Sequence, residues 1–206
     1  MTITYRLGNK LYLNITNSCS CSCVFCIRNN TQGVGDATSL WLEKEPPVEE
    51  IKTAIDTALF SASGFDEIVF CGYGEPMERA DDVIEIAQYI KSKHSSLYGK
   101  PAPSVRINTN GLAFLMCPGF EAGRLAVVDT VSISLTADDS EEYQRLARPR
   151  YGEGAFESVL AFARAAKDYT HVIFSVIDGT LSARRLENCR RIAEDMGIAF
   201  RVRGME

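Results

Sequence analysis

Four cysteines fall within eight positions of the segment NSCSCSCVFCIRNN (residues 17–30): Cys19, Cys21, Cys23 and Cys26. Three of them, Cys19, Cys23 and Cys26, read C-x3-C-x2-C directly after an apolar, strand-like run at residues 11–15. Three thiolates on one loop can hold three irons of a [4Fe–4S] cluster and leave the fourth iron without a protein ligand. That open position can receive a substrate or cofactor, which a cluster held by four cysteines does not offer. The plainer alternatives are a zinc knuckle or buried thiols. A zinc site calls for a second ligand pair further along the chain, and the two histidines, His94 and His171, stand singly at a helix end and a strand start. Cys21 is either an incidental thiol or a fourth ligand that closes the cluster.

Bulk properties narrow the setting. The 206 residues suffice for one substantial core, so residues 1–206 are expected to form one domain. No apolar run is long enough to cross a bilayer, and the start MTITYRLGNK has no basic stretch followed by an apolar one. A cytoplasmic location is expected, where thiols stay reduced and disulfides are disfavoured. Cys71, Cys117 and Cys189 lie in apolar or helical stretches and read as buried, inert thiols. A net charge of −5 argues against broad nucleic-acid binding but not against a local basic pocket.

The elements that must position the cysteines alternate in type. Strand-like runs occur at residues 11–15, 67–71, 104–109, 130–136, 171–177 and 198–202. Helical patterns lie between most of them. PVEEIKTAIDTALFSA starts at Pro47 with acids in its first turn and ends before Gly64. ADDVIEIAQYIKSKH places Val83, Ile84, Ile86, Ala87 and Ile90 on one face. SEEYQRLA opens on Ser140 as an expected cap, and AFESVLAFARAAKDY and SARRLENCRRIAEDMG complete the set. Alternation of this kind predicts an α/β fold with a parallel sheet and helical crossovers. Six units are too few for a closed eight-stranded barrel, so a partial (β/α)6 barrel of parallel strands, or a doubly wound sheet, is expected.

C-x3-C-x-aromatic-C, with Phe25 as the aromatic, resembles the signature of the radical SAM superfamily. FCGYGEP (70–76) is similar to that family's Gly-Gly-Glu-Pro segment, with Tyr73 in place of its first glycine and Gly74, Glu75 and Pro76 matching. NTNG (108–111) resembles its Thr-Asn-Gly, SISLTA (132–137) a serine-bearing strand end, and SVIDG (175–179) the apolar segment that covers adenine. Each falls at the C-terminal end of its strand, the edge where parallel α/β folds assemble their sites.

The resemblance implies Cys19, Cys23 and Cys26 as cluster ligands. It implies Phe25, Tyr73, Gly74, Glu75, Asn108, Asn110, Ser134 and Val176 as contacts of S-adenosylmethionine (SAM), with Ile177 the alternative to Val176. The implied activity is reductive cleavage of SAM to a 5′-deoxyadenosyl radical that abstracts hydrogen from an unknown substrate. An external one-electron reductant, flavodoxin- or ferredoxin-like, is then required. GNKLYLNIT, VFCGYGEP and RINTNGL resemble the small radical SAM proteins named for TatD-type nucleases, which adds a possible functional link to such a nuclease.

Several residues keep two readings. Glu75 is a solvated loop acid or holds the SAM amine or the loop itself. One of Arg148 and Arg150 meets the SAM carboxylate or an anionic substrate, or both are solvated. Arg201 and Arg203 alternate with Phe200 and Val202, so they face either the barrel interior or water. Residues 27–47, with the sole tryptophan Trp41, form a lid or pack on the sheet. A non-enzymatic iron–sulfur electron carrier and a zinc-binding interaction module remain the alternatives.

Overall fold

A computed structural model describes residues 1–29, 33–61, 64–97 and 102–204. Two short strands open the chain, β1 (Thr4–Leu7) and β2 (Lys10–Leu13), paired antiparallel with Tyr5 opposite Tyr12. Gly8 adopts the left-handed conformation between them (φ 61°), which a tight reversal requires. β1 is an addition to the expected set of six strands and the only antiparallel one among the described residues.

From β2 onward the sheet is parallel. α1 (Val48–Ser61) leads to β3 (Glu67–Phe70), and α2 (Ala80–Leu97) to β4 (Ser104–Thr109). A short α3 (Ala113–Met116) and a 3-10 segment, Ala122–Val127, lead to β5 (Thr130–Ser134). α4 (Ser140–Ala147) and α5 (Ala155–Ala166) precede β6 (His171–Ile177), and α6 (Ala183–Asp195) precedes β7 (Ala199–Arg203). The seven strands lie in sequence order, β1-β2-β3-β4-β5-β6-β7. Each crossover steps one place in the same direction, so the sheet curls without closing: a partial barrel in which β1 and β7 are the outermost of the described strands.

Strand alternation assigns the two faces. Leu11, Leu13, Ile68, Phe70, Val105, Ile107, Val131, Ile133, Val172, Phe174 and Val176 pack in one apolar core with Ile51, Ile55, Val83, Ile86, Val159, Phe162 and Ala193 of the helices. The opposite, inner face is mostly polar beyond β3: Arg106, Asn108, Ser132, Ser134, Ser175, Arg201 and Arg203. All five residues expected on the apolar face of α2 are buried. The cap of α4 differs from expectation. Asp139, not Ser140, accepts from the Glu142 backbone N–H at 2.8 Å, while the Ser140 hydroxyl donates to the Glu153 carbonyl. A carboxylate beside a helix N-terminus gains from the macrodipole as well as the hydrogen bond, which favours Asp139 in the run Asp138-Asp139-Ser140.

Candidate active site

The cysteine loop leaves β2 and is anchored on both sides. Ser18 N–H bonds the Thr16 hydroxyl, and Thr16 in turn bonds Glu45. Further along, Ser22 N–H donates to the Ala147 carbonyl at 3.0 Å, Val24 N–H to Leu146 at 2.9 Å, and Arg150 N–H to the Ser20 carbonyl at 3.0 Å. Cys21 bridges Pro149 in this short antiparallel pairing. The loop thus lies along the C-terminal end of α4, where Arg148 turns left-handed (φ 48°).

Cys19, Cys23 and Cys26 are partly exposed free thiols, whereas Cys21 is buried in the apolar core. Hydrogen bonding from Cys21 holds the Cys23 thiol below its usual range despite burial, and the same bond, with burial, pushes Cys21 far up. Burial, with Glu75 adding repulsion, pushes Cys19 up to about 12. Among the described residues, no three His, Cys, Asp or Glu side chains are grouped tightly enough to hold a single metal ion.

Gly74 explains how the second loop meets the first. A Cβ there would lie 2.3 Å from the Thr16 carbonyl oxygen and 2.6 Å from that of Ser18. Only glycine lets the segment after β3 lie flat against the root of the cysteine loop. The same contact is fixed by the Glu75 N–H, which donates to the Ser18 carbonyl at 2.8 Å.

The Glu75 side chain is buried and clamps the third loop. Its Oε1 accepts from Met77 N–H at 3.0 Å and its Oε2 from Asn110 N–H at 2.6 Å. Burial outweighs these bonds and raises the carboxyl to about 7. The solvated reading of Glu75 is thereby corrected: it is an internal bracket. Asn110 continues the chain of contacts, donating from Nδ2 to the Ser20 hydroxyl at 2.9 Å and accepting at Oδ1 from Leu112 N–H. Gly111 is left-handed at φ 81°, and a Cβ there would lie 2.8 Å from the Ile133 side chain of β5.

The remaining expected contacts divide. Phe25 is half-buried in the cysteine loop. Tyr73 is buried against Trp41, ring edge to face at 5.1 Å, with Tyr5, Tyr12, Leu40 and Val69. Asn108 and Ser134 lie on the inner face, and Asn108 bonds the Cys71 thiol. Arg148 is exposed and in no ion pair among the described residues, while Arg150 pairs with Glu78 and Tyr151. Val176 departs from expectation: its side chain packs in the core under the helices, and Ile177 is the one on the inner face. Cys71 and Cys117 are only partly buried, and Cys71 is absent from the main core, so the expectation of inert core thiols holds for Cys189 alone.

The segment before α1 packs rather than hangs free where it is described, residues 30–32 lying outside the described residues. Asn17 donates to the Leu42 carbonyl at 2.7 Å and accepts from Leu42 N–H at 3.1 Å; Asn14 donates to the Leu40 carbonyl at 2.8 Å. Sequence reasoning passed over Asn14, Asn17 and Arg106, all polar residues embedded in or next to apolar strand runs. Thr136, just past β5, is a β-branched residue at φ 67° and buried, a conformation costing of order 1–3 kcal/mol that only surrounding structure sustains.

With the geometry in view, likeness to other proteins is informative. A model of the radical SAM superfamily matches residues 13–193. A GTP 3′,8-cyclase from Lactiplantibacillus plantarum is 32% identical over 146 residues, 69% of this chain and 38% of the cyclase. SuiB of Streptococcus suis bound to S-adenosylmethionine superposes with a TM-score of 0.68 at 16% identity, over 95% of this chain and 40% of SuiB. The anSMEcpe structure with bound AdoMet and Cp18Cys peptide gives a TM-score of 0.66 at 18% identity, over 94% of this chain and 50% of that one. The chain spans well under half the length of the curated relative it matches.

Proposed function

Because the chain belongs to the radical SAM superfamily, whose members use a [4Fe–4S] cluster and SAM, we propose that it is a radical SAM enzyme with Cys19, Cys23 and Cys26 as the cluster ligands. When bound, the two cofactors supply one-electron reductive cleavage of the sulfonium and hydrogen abstraction from a substrate. The protein's own contribution is positioning. Gly74 and Glu75 hold the second loop against the cysteine loop, leaving carbonyls of residues 72–74 to meet the SAM amine. Asn110 and Ser134 border the same space, Arg148 offers a guanidinium to the carboxylate, and Ile177 with the backbone of Val176 flanks the adenine. Cys21 is not a ligand in this reading; it supports Cys23 from the core side.

One observation carries the reading. Three loops that are far apart in sequence, ending β2, β3 and β4, are bonded to one another through Ser18–Glu75, Glu75–Asn110 and Asn110–Ser20, directly beside three partly exposed thiols. The resemblance of GNKLYLNIT, VFCGYGEP and RINTNGL supports membership of the small TatD-associated group, a cytoplasmic setting and an external flavodoxin- or ferredoxin-like reductant.

The test is anaerobic reconstitution with iron and sulfide, followed by reduction with dithionite in the presence of SAM. A brown protein that releases 5′-deoxyadenosine is expected, with iron lost in Cys19→Ala, Cys23→Ala and Cys26→Ala but kept in Cys21→Ala. A brown protein that leaves SAM intact would make it an electron carrier; a colourless one that binds zinc would make it an interaction module.

A further inference from the structure

The inner face of the sheet runs against the chain's overall acidity. Arg106 on β4 and Arg201 and Arg203 on β7 all occupy inward positions by strand alternation. Arg106 is 6% exposed. Its Nη2 lies 3.0 Å from Glu67 Oε2, and the same oxygen is already taken by Lys10 Nζ at 2.7 Å. One carboxylate is thus divided between two cations.

Two buried polar atoms on this floor have no partner. Arg106 Nε lacks an acceptor, and two residues on, Asn108 Oδ1 lacks a donor. A buried, unsatisfied polar atom costs about 1–3 kcal/mol, so such atoms persist mainly where a ligand or water completes them. An orphan donor and an orphan acceptor thus sit on adjacent inward positions of one strand.

The β7 arginines face the same interior. Arg201 Nη2 reaches across β6 to the Ser132 hydroxyl at 3.3 Å. Arg203 is half-buried and in no ion pair among the described residues. Both Arg203 and Arg106 are close enough to Cys71 to draw its thiol down against the rise that burial imposes. Against the one carboxylate of Glu67, this face carries Lys10, Arg106 and Arg203, a local positive excess in a chain of net charge −5.

We infer that this floor binds the substrate by an anionic head, a carboxylate or phosphate held by Arg106 Nε–H and Arg203, on a molecule that also presents a hydroxyl or amine to Asn108 Oδ1. The inference rests on the radical SAM reading for the word substrate and names its chemical class. Guanidinium forks match both oxyanions in bidentate fashion, which a lysine would not.

Titration calorimetry at low salt on the protein without cluster or SAM tests it, with inorganic phosphate and malonate as separate probes. Wild type is expected to bind at least one, and the one bound tighter identifies the head group. Arg203→Gln and Arg106→Gln should each weaken that binding about tenfold, as loss of a charge-assisted bond does. Arg191→Gln, an exposed position on α6, should leave it unchanged. If Arg106→Gln does not fold, Asn108→Asp replaces it, since a carboxylate there should repel the anion. Binding of neither probe, or equal weakening by Arg191→Gln, overturns the proposal. The readout needs no cofactor, so a colourless protein that binds phosphate sinks the radical SAM reading alone, and a brown, SAM-cleaving protein that binds neither anion sinks this one alone.

Discussion

The rim above β2, β3 and β4 and the rim above β6 and β7 are built differently. On the first, backbone and buried side chains bond loop to loop: Gly74 against Thr16 and Ser18, Glu75 to Asn110, Asn110 to Ser20, Asn17 to Leu42. On the second, β7 pairs with β6 alone among the described residues, its Arg201 and Val202 are exposed, and a Cβ added at the following Gly204 would meet nothing within 4 Å. A site that serves one invariant pair of cofactors gains from loops with a single arrangement. A site that must admit and release a substrate gains from an open side. Under the function proposed above, the first rim would be the pre-organised cofactor side and the second the substrate side, so substitutions on the two rims should differ in kind.

The largest difference is expected between two glycine-to-alanine changes. Gly74→Ala puts a Cβ where two carbonyl oxygens already sit, and neither belongs to a flexible side chain. Overpacking of this sort costs about 1–3 kcal/mol, occasionally more, and here it pushes the cysteine loop away. Thermal denaturation should show a fall of several degrees, and iron uptake on reconstitution should drop with it. Gly204→Ala meets open space and should stay within about 0.5 kcal/mol of wild type with full iron uptake. Equal effects would mean that the first rim is no more constrained than the second.

Next comes Glu75, whose bracket has a pH signature. Its carboxyl is raised to about 7 in the folded protein by burial, above the ordinary 4.5. Between those values the folded state holds a proton that the unfolded state has lost, so stability falls as pH rises through that window and levels off above it. In Glu75→Gln that slope should vanish, leaving a constant loss because an amide nitrogen cannot accept one of the two N–H bonds. Melting curves of the cofactor-free protein from pH 5 to 8 read the difference. Parallel curves for the two proteins would show that Glu75 is solvated after all.

Much of this division was legible beforehand, and the failures have physical causes. The strand runs and the motifs at their ends placed the cysteine loop and the GYGEP and NTNG segments on one rim, because buried parallel strands advertise themselves by apolar length. The same property hid the facing: the end of β6 is apolar on both sides, so alternation could not tell Val176 from Ile177, and the inward residue is Ile177. β1 was missed because TYRL is short and half-exposed, formed by pairing with β2 rather than by its own pattern. Arg106 was passed over although Val105, Arg106 and Ile107 carry a usable signal: a charge inside a buried strand must have a partner, here Glu67. Gly74 was expected at a close approach, and it is one, but what it approaches is the cysteine loop's backbone.

Asn17→Ala against Arg203→Gln gives a smaller, finer contrast. Asn17 exchanges two hydrogen bonds with the Leu42 backbone and so ties the segment before α1 to the root of the cysteine loop. Removing both should cost about 1–2 kcal/mol, two ordinary hydrogen bonds' worth, and speed hydrogen exchange at Leu42. Trp41, edge-on to Tyr73, should report the loosening by fluorescence.

Arg203→Gln should have the smallest effect on stability, and its sign is the informative part. Arg203 forms no ion pair among the described residues, so no close ion pair is lost with its charge. What disappears is one positive charge on the face that also carries Arg106 and Arg201, where interactions between charges are partly screened at ordinary salt. The melting temperature should therefore be unchanged or slightly raised, by no more than about 0.5 kcal/mol of stability, with the rise fading as salt is added. A clear drop in melting temperature would place Arg203 among structural groups like those of the first rim, and the contrast between the two rims would fail at β7.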